Sequence, residues 1–424
     1  MFTRLIPACA IILAFFTLTA TAEAPEKLGN VAKVFAKKAS IIDMSLSPGG
    51  DYFALVIQQS EEQQLRIIDV NKGKVTHQVN FDTQWKFGQL YWANDERVLV
   101  QPAYQPRQTN VVFRTASLYA VNFDGRKEKF LLGPGAGARL GSKAGKRDAS
   151  LGAFVLDLLP DNRRKVLVTV LESGNKRAST AWLDVYNGKL STRRYGPELV
   201  RNCSFGIGQK GDPKFCVTAN RDSDLSEIYE SSDPQSWNLV YKASTWDEEP
   251  SVYRQLKNGA VLALLDHPDS TTSALYEISS SKDGLNKRLV NHSANFDPLT
   301  VTYSARLDWG YVLYARPLPE YAYLGENQTL NALHRGMLAA FPRSFVALRS
   351  VSEDQNLVLV RVSNELLPSR YFLWDATNKS MSLIANAWEH LIDRTSKVEP
   401  FVMKARDGFE LNGLLTEAKG KARG

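Results

Sequence analysis

A tight turn followed by a short strand-like run recurs seven times after residue 40, and this repeat constrains the fold more than any other feature. The runs are short and rich in β-branched residues, as strands bounded by turns are. Successive turns lie about 45 to 67 residues apart, with a mean step of about 51 residues. The turns are Gly49-Gly50-Asp51, Asn94-Asp95, Asp161-Asn162, Gly211-Asp212, Asn258-Gly259, Asp308-Trp309-Gly310 and Glu353-Asp354.

A second turn follows inside most repeats, as at Asn71-Lys72-Gly73 and Asn187-Gly188. Two hairpins per repeat predict a four-stranded antiparallel unit, and seven such units predict an all-β fold, a seven-bladed β-propeller over residues 40–397. The sixth repeat lacks a clear second turn and carries an irregular stretch, 317–334, in its place. The alternative is two unrelated β-sandwiches, and the regular phase of the turns argues against it.

The N-terminus has the pattern of a secretory signal peptide. Arg4 precedes an apolar run over residues 5–18, and Ala20-Thr21-Ala22 is a small-residue cleavage signature. We expect residues 1–22 to be removed after Ala22 and the chain to be exported to a periplasmic or extracellular location. An uncleaved anchor is the alternative, although the run is short for a stable membrane span. Residues 23–39 predict a linker and a short amphipathic helix, because Leu28, Val31 and Phe35 follow helical spacing.

Export places the two cysteines of the mature chain, Cys203 and Cys216, in an oxidising compartment. They flank the predicted turn 206–213, so they would lie on paired antiparallel strands. A disulfide between Cys203 and Cys216 is therefore the candidate. A redox or metal-binding pair is the alternative, but no His or third Cys lies nearby in the sequence.

The charge balance argues against a nucleic-acid partner. Lys plus Arg is 52 and Asp plus Glu is 45, and the two signs are mixed along the whole chain. The most basic stretch, 139–147, together with Arg163-Arg164-Lys165, is interpreted as a solvated face. Binding of an anionic surface there is the alternative.

Five segments follow one another along the chain: Val34-Phe35-Ala36, Ser45-Leu46-Ser47-Pro48-Gly49-Gly50, Ala340-Phe341-Pro342, Pro368-Ser369-Arg370-Tyr371-Phe372-Leu373-Trp374-Asp375 and Lys404-Ala405-Arg406-Asp407-Gly408-Phe409-Glu410-Leu411-Asn412-Gly413-Leu414-Leu415-Thr416. In this order they resemble the propeller half of secreted prolyl-oligopeptidase-type serine peptidases, in the acylaminoacyl-peptidase and dipeptidyl-aminopeptidase branch. The final segment is the most specific of them, because an A-R-D-G-x-x-L/I-x-G-x-L-T segment opens the α/β-hydrolase domain in that family. The resemblance therefore implies that residues 398–424 are the truncated start of such a domain.

The family's catalytic machinery has no counterpart in this sequence. The G-x-S-x-G elbow that exposes a nucleophilic serine does not occur. The histidines fall on different repeats without a nearby serine and acid: His77, His267, His292, His334 and His390. We therefore expect no catalytic residue, no cofactor and no metal site.

Two acidic segments are candidate binding sites. Asp266-His267-Pro268-Asp269 could be a metal loop but is interpreted as a solvated turn. Asp247-Glu248-Glu249 could meet a substrate amino group but is interpreted as an exposed inter-blade loop.

The sequence thus predicts the non-catalytic, substrate-gating propeller of a secreted serine peptidase that acts on short peptides and is inactive by itself. Its partners would be a short peptide substrate and a missing hydrolase domain or chain. The alternative is a free-standing exported propeller that binds a peptide or protein. A saccharide-acting or lyase propeller is disfavoured, since no paired carboxylates stand out.

Overall fold

The computed structural model describes residues 24–81, 83–109, 111–133, 151–172, 174–220, 223–233, 236–245, 249–281, 284–315 and 318–417. The predicted signal peptide with Ala22, the basic stretch 139–147, Asp247 and Glu248 lie outside these residues. The chain forms two compact units, which meet in sequence between Lys38 and Ala39. The first contains a helix, α1 (Ala24–Phe35), where the helical spacing predicts one. No helix in the described ranges is long and apolar enough to cross a membrane.

The second unit consists mainly of antiparallel sheets whose strands follow one another along the chain. The first two sheets contain β1 (Ile41–Leu46), β2 (Tyr52–Gln59), β3 (Glu62–Asp69), β4 (Lys74–Phe81), β5 (Trp85–Trp92), β6 (Arg97–Tyr104), β7 (Phe113–Arg114), β8 (Leu118–Asn122) and β9 (Lys129–Leu132). The next four-stranded sheet contains β10 (Leu151–Asp157), β11 (Lys165–Glu172), β12 (Ser179–Asp184) and β13 (Leu190–Tyr195).

An eight-stranded sheet follows, ordered β17-β16-β15-β14-β18-β19-β20-β21. Its two halves are joined by a single parallel pair, Ile207 with Arg254. Its strands are β14 (Ser204–Ile207), β15 (Pro213–Asn220), β16 (Leu225–Ser231), β17 (Trp237–Ser244), β18 (Ser251–Gln255), β19 (Val261–Asp266), β20 (Ser273–Ser281) and β21 (Gly284–His292). The remaining strands are β22 (Thr300–Ser304), β23 (Trp309–Ala315), β24 (Pro319–Leu324), β25 (Phe345–Val351), β26 (Leu357–Ser363), β27 (Arg370–Asp375), β28 (Ser380–Asn386), β29 (Val398–Lys404) and β30 (Glu410–Thr416).

The inner strands are buried on both faces. In β6, every residue from Arg97 to Ala103 is buried, although neighbouring side chains point to opposite faces of the sheet. Both faces of the sheet are therefore covered by neighbouring sheets, which explains why such strands carry consecutive apolar residues. The outermost strands, such as β28, are largely exposed.

Apolar cores lie between sheets that are consecutive in the chain. One core joins β2, β3 and β4 to β5, β6 and β8, and the next joins β6 and β8 to β10, β11 and β12. The last four-stranded sheet, β25–β28, returns to the first, because Leu359 and Tyr371 pack against Met44 and Phe53. The sheets therefore surround a common axis in a β-propeller arrangement, and side-chain packing rather than a shared strand closes the ring.

The sixth repeat departs from the predicted four strands. Its described residues form a three-stranded sheet, β22-β23-β24, followed by a helix, α2 (Gln328–Ala340), in the region that the sequence reading treats as irregular. Asn327 caps the helix, its Oδ1 accepting the Leu330 N–H at 3.1 Å. Leu330 and Met337 are buried against β25 and β26, so α2 covers part of one face of the last four-stranded sheet.

A hairpin, β29–β30, follows the last four-stranded sheet and belongs to none of the others. Most of its side chains are exposed, including Phe409 and Leu414 at more than three-fifths of their surface. Arg343 ties its base to the preceding sheet, pairing with Glu365 at 3.7 Å and with Glu399 at 3.4 Å. The hairpin occupies the segment in which the resemblance implies the start of a second domain.

Candidate functional site

A cavity of about 480 Å³ lies on the axis of the second unit and is called the axial cavity below. Its walls come from the C-terminal ends of β1, β5, β22 and β25 and from the turn after β10. These are the first strands of their sheets, which are far apart in the chain and meet only around the axis. The volume falls within the range of about 300–1,000 Å³ that is typical of ligand pockets.

Four charged side chains line the axial cavity: Arg163, Arg306, Arg349 and Glu353. Arg163 lies in the turn between β10 and β11. Its guanidinium contacts Asp95 Oδ2 at 2.6 Å and Glu353 Oε2 at 3.4 Å. It thus links the third sheet to the second and, across the axis, to the last four-stranded sheet. Because Arg163 and Glu353 are both substantially exposed, we treat this link as a weak one.

Arg349 and Arg306 have different partners. Arg349 on β25 pairs with Asp43 on β1 at 2.8 Å. Arg306, in the turn between β22 and β23, donates to the Val351 carbonyl oxygen at 3.0 Å. Burial lowers the pKa of Arg306, and the field of Glu353 opposes this effect in part. Arg306 is nevertheless exposed as a whole residue, and a guanidinium with free donors is a common anion-binding group.

The wall near Arg306 is aromatic. Tyr303 is half-buried and donates its hydroxyl to Asp308 Oδ1 at 2.6 Å, which holds the turn that carries Arg306. Burial and the Asp308 carboxylate both raise the pKa of Tyr303. Tyr91, Trp309 and Tyr311 also line the cavity. The site therefore combines apolar surface with a small number of guanidinium donors.

The first and last four-stranded sheets are joined beside the cavity. Ser350 Oγ lies 3.1 Å from Ser45 Oγ and accepts the Leu46 N–H at 3.1 Å. Trp92 Nε1 donates to the Ser45 carbonyl oxygen at 3.3 Å, which adds the second sheet to the same junction. These hydrogen bonds position three walls of the axial cavity relative to one another.

Cys203 and Cys216 are adjacent. Cys203 directly precedes β14 and Cys216 lies on the paired strand β15. The structure pairs their sulfur atoms with the Cα atoms 5.5 Å apart, within the range of about 4.4–6.8 Å that disulfides span. This geometry is compatible with the proposed bridge, which stays a prediction for the protein in its own compartment.

The histidines are less scattered than the sequence suggests. His267 and His292 stack with ring centroids 4.1 Å apart. Thr272 Oγ1 lies 3.0 Å from His292 Nε2 and donates to the Ser293 carbonyl oxygen at 2.6 Å. His334 is fully buried among aromatic rings.

The acidic segments form no recognisable metal site. Asp269 donates its N–H to His267 Nδ1 at 3.2 Å, a contact within the turn itself. Across the described residues, no group of three His, Cys, Asp or Glu side chains could hold a metal ion. Glu249, the one described member of the acidic run at 247–249, is exposed.

Sequence reasoning missed Arg163 and Arg306 as site residues. It interpreted Arg163 as part of a solvated basic face and did not single out Arg306. Their position within the repeat could have identified them, because both residues follow the first strand of a repeat. Those turns meet at one end of the axis.

Comparisons of the sequence alone give no relative: no family model matches the chain, and no curated protein matches it. Comparisons of the structure do. One match is from a study of two prolyl endopeptidases, with a TM-score of 0.56 and 12% identity over 93% of this chain. Another is an acylaminoacyl peptidase from Pyrococcus horikoshii, with a TM-score of 0.54 and 12% identity over 91% of this chain.

A third match is the β-propeller domain of the Trilobed protease from Pyrococcus furiosus, with a TM-score of 0.50 and 11% identity. It covers 83% of this chain and 97% of that domain. By contrast, this chain spans 57% of the matched prolyl endopeptidase and 59% of the acylaminoacyl peptidase. The protein is therefore mainly a β-propeller. It is similar, at low identity, to the propeller domains of prolyl-oligopeptidase and acylaminoacyl-peptidase enzymes.

Proposed function

We propose that this chain is the substrate-gating propeller of a secreted serine peptidase of the prolyl-oligopeptidase type. It would act with an α/β-hydrolase domain on short peptides and be inactive by itself. The exposed hairpin β29–β30 carries the proposal, because it follows the last four-stranded sheet and its strands pair with none of the propeller strands. The similarity to peptidase propellers supports it.

We also propose that the propeller has seven blades. The single Ile207–Arg254 pair divides the eight-stranded sheet into β14–β17 and β18–β21. An apolar core lies between these halves, as between other neighbouring sheets, with Val217 and Ile228 on one side and Ala263 on the other. Each half then matches one sequence repeat.

The hairpin needs a partner surface. Two strands alone are marginally stable in water. Apolar side chains of both strands are exposed, namely Phe401, Val402, Met403, Phe409, Leu411, Leu414 and Leu415. Covering them in the sheet of a second domain would remove this surface from water, at about 25 cal/mol per Å².

The end of the propeller opposite the axial cavity is also apolar. Exposed apolar residues occur there, either beside the start of a first strand or near the link between a second and a third strand: Val111, Val112, Phe113, Leu171, Leu199, Leu299, Leu318, Phe345 and Leu366. The hairpin leaves the propeller from the same end, through Arg343 and Val398. Exposed apolar surface of this kind is typical of a docking face, and we assign it to the hydrolase domain.

The test is to recover the native protein from its host with an antibody against the propeller. We expect the recovered species to contain an α/β-hydrolase segment, on the same polypeptide or bound to it. It should react with a fluorophosphonate serine probe and cleave short peptides but not casein. The purified 424-residue chain should not react.

Matched variants sharpen this test. Leu414→Asp places a charge on the hairpin and should reduce probe labelling of the native species at least fivefold, because it weakens domain docking. Leu383→Asp, at a similarly exposed site on the outermost strand β28, should leave labelling unchanged. A native species that consists of the propeller alone and stays unlabelled would contradict the proposal.

We propose further that the chain is exported, is cleaved after Ala22 and carries a Cys203–Cys216 disulfide. The bridge would close a loop with a sequence separation of 13 residues, worth about 3 kcal/mol of unfolding free energy in the chain-entropy model. Cys203→Ala should therefore lower the denaturant midpoint to that of the reduced wild type, while reduction should not change the variant. Two free thiols in non-reducing peptide maps of the exported protein would refute the bridge.

The axial cavity favours a second candidate function, a free-standing propeller that binds a peptide or protein. This candidate predicts a native species without a hydrolase segment that retains a ligand. The recovery experiment separates the two candidates.

A further inference from the structure

We propose that the axial cavity binds the carboxylate of a short peptide, with the Arg306 guanidinium as the anion-binding group. The carboxylate is inferred from the chemistry of the cavity itself. Only the assignment of that carboxylate to a peptide rests on the proposed function. This site is distinct from the hairpin end of the propeller, where a hydrolase domain would dock.

The first step of the argument is the charge balance of the cavity wall. Arg163 is paired with Asp95 and Glu353, and Arg349 is paired with Asp43. Among the described residues, no carboxylate lies within ion-pair distance of Arg306. Its hydrogen bond goes to an uncharged carbonyl, that of Val351. The guanidinium has five N–H donors, so donors remain available for a ligand.

The second step is desolvation. Arg306 is exposed as a whole residue, and only partial desolvation in the cavity wall lowers the pKa of its side chain. A bound carboxylate would offset this cost, since a guanidinium and a carboxylate can form two parallel charge-assisted hydrogen bonds. In this arrangement the Glu353 carboxylate contacts Arg163 at 3.4 Å and acts on Arg306 through its field, without a hydrogen bond to it.

The third step is the position of the group. The turn that carries Arg306 is held by the Tyr303–Asp308 hydrogen bond and by Asn327 Nδ2, which donates to the Leu307 carbonyl oxygen at 2.9 Å. Asn327 Nδ2 also donates to Gln355 Oε1 at 3.1 Å, which connects the turn to the last four-stranded sheet. A turn braced on both sides can present a guanidinium with little loss of conformational entropy on binding.

The fourth step concerns the part of the ligand that lies beyond its carboxylate. Tyr91 and Tyr303 are partly exposed and line the same cavity as Arg306, together with the mostly buried Trp309 and Tyr311. Apolar or aromatic side chains of a ligand would cover this surface while its carboxylate meets the guanidinium. A few polar anchors within apolar walls are the usual composition of a specific small-ligand site.

The experiment compares three peptides by isothermal titration calorimetry on the purified full chain. Ac-Ala-Ala-Phe-OH carries a terminal carboxylate, Ac-Ala-Ala-Phe-NH2 carries none, and Ac-Ala-Glu-Phe-NH2 carries a side-chain carboxylate only. We expect at least one acid to bind tenfold more tightly than the neutral amide. Which acid binds identifies the source of the carboxylate.

Variants assign the effect to Arg306. Arg306→Gln should remove the preference for the acid while the chain stays folded by circular dichroism, and Arg306→Lys should restore part of it. Arg126→Gln, an exposed arginine in the outer turn of the second sheet, should leave binding unchanged. Equal affinity for acids and amide, no binding of any peptide, or an unchanged preference in Arg306→Gln would overturn the inference. None of these outcomes depends on probe labelling of the native species, so the proposed function succeeds or fails separately.

Discussion

Replacing Gly325 with alanine is expected to lower the free energy of unfolding by about 3 kcal/mol. Gly325 follows β24 at a φ of +80°, and an added Cβ would lie 2.1 Å from the Asp308 carbonyl oxygen. That oxygen accepts the Asn327 N–H at 3.2 Å, directly before α2. The substitution therefore both strains the backbone and displaces the turn on which α2 and Arg306 depend.

Gly73→Ala is the matched control. Gly73 also has a positive φ, +63°, but nothing lies within 4 Å of an added Cβ. It should show the backbone strain alone, about 1 kcal/mol. Guanidinium unfolding followed by circular dichroism measures both variants. Equal losses for the two would mean that the contact with Asp308 does not constrain the fold.

Replacing Arg97 with methionine is expected to lower the free energy of unfolding by about 3 kcal/mol. Arg97 is fully buried on β6. Its Nε donates to the Val185 carbonyl oxygen at 2.9 Å, which links the second and third sheets. Its Nη1 donates to Asn122 Oδ1 at 2.9 Å and to the Lys127 carbonyl oxygen at 2.8 Å. Methionine would fill part of the space but leave these acceptors without a donor.

Two opposing effects determine whether Arg97→Met lowers or raises the free energy of unfolding. Burial lowers the pKa of Arg97 from its ordinary 12.5 to about 10, which corresponds to a desolvation cost of roughly 3 kcal/mol that methionine removes. Three stranded acceptors cost about 1–3 kcal/mol each. The cost of the lost hydrogen bonds exceeds the desolvation cost because those to the Val185 carbonyl and to Asn122 Oδ1 are both buried, so neither oxygen can turn toward water.

Arg126→Met, at an exposed site in the same sheet, is the control and should change stability by less than about 0.5 kcal/mol. Urea unfolding of both variants gives the comparison. An Arg97→Met protein as stable as the wild type would show that the sheets repack around the lost guanidinium.

The strands could be predicted from the sequence because the pattern of apolar residues and turns that marks them is local. A strand buried on both faces carries consecutive apolar residues, as β6 does at 98–100 and β26 at 357–360, and tight turns bound it. The helix α2 was missed although Leu330, His334, Met337 and Phe341 follow helical spacing. The four-stranded unit predicts a strand in this region, and the structure has a helix instead. This helix buries its apolar face against β25 and β26.

The candidate site could not be predicted from local sequence patterns. Arg163, Arg306 and Glu353 lie in turns of three different repeats, and turn residues are ordinarily solvated. Nothing local distinguishes them from Arg126, which is also a turn arginine. Likewise, His267 and His292 belong to different hairpins of one sheet, and their stacking follows from strand pairing.

The sequence by itself determined the period, the strand runs, the closing turns and the resemblance to peptidase propellers, since each depends on residues close together in the chain. Only the tertiary structure decided which turns meet on the axis, which arginines are paired with carboxylates and which apolar residues stay exposed at the hairpin end. Those properties depend on distances between sheets, and ring closure by packing sets these distances through side chains up to about 300 residues apart, as between Ser45 and Ser350.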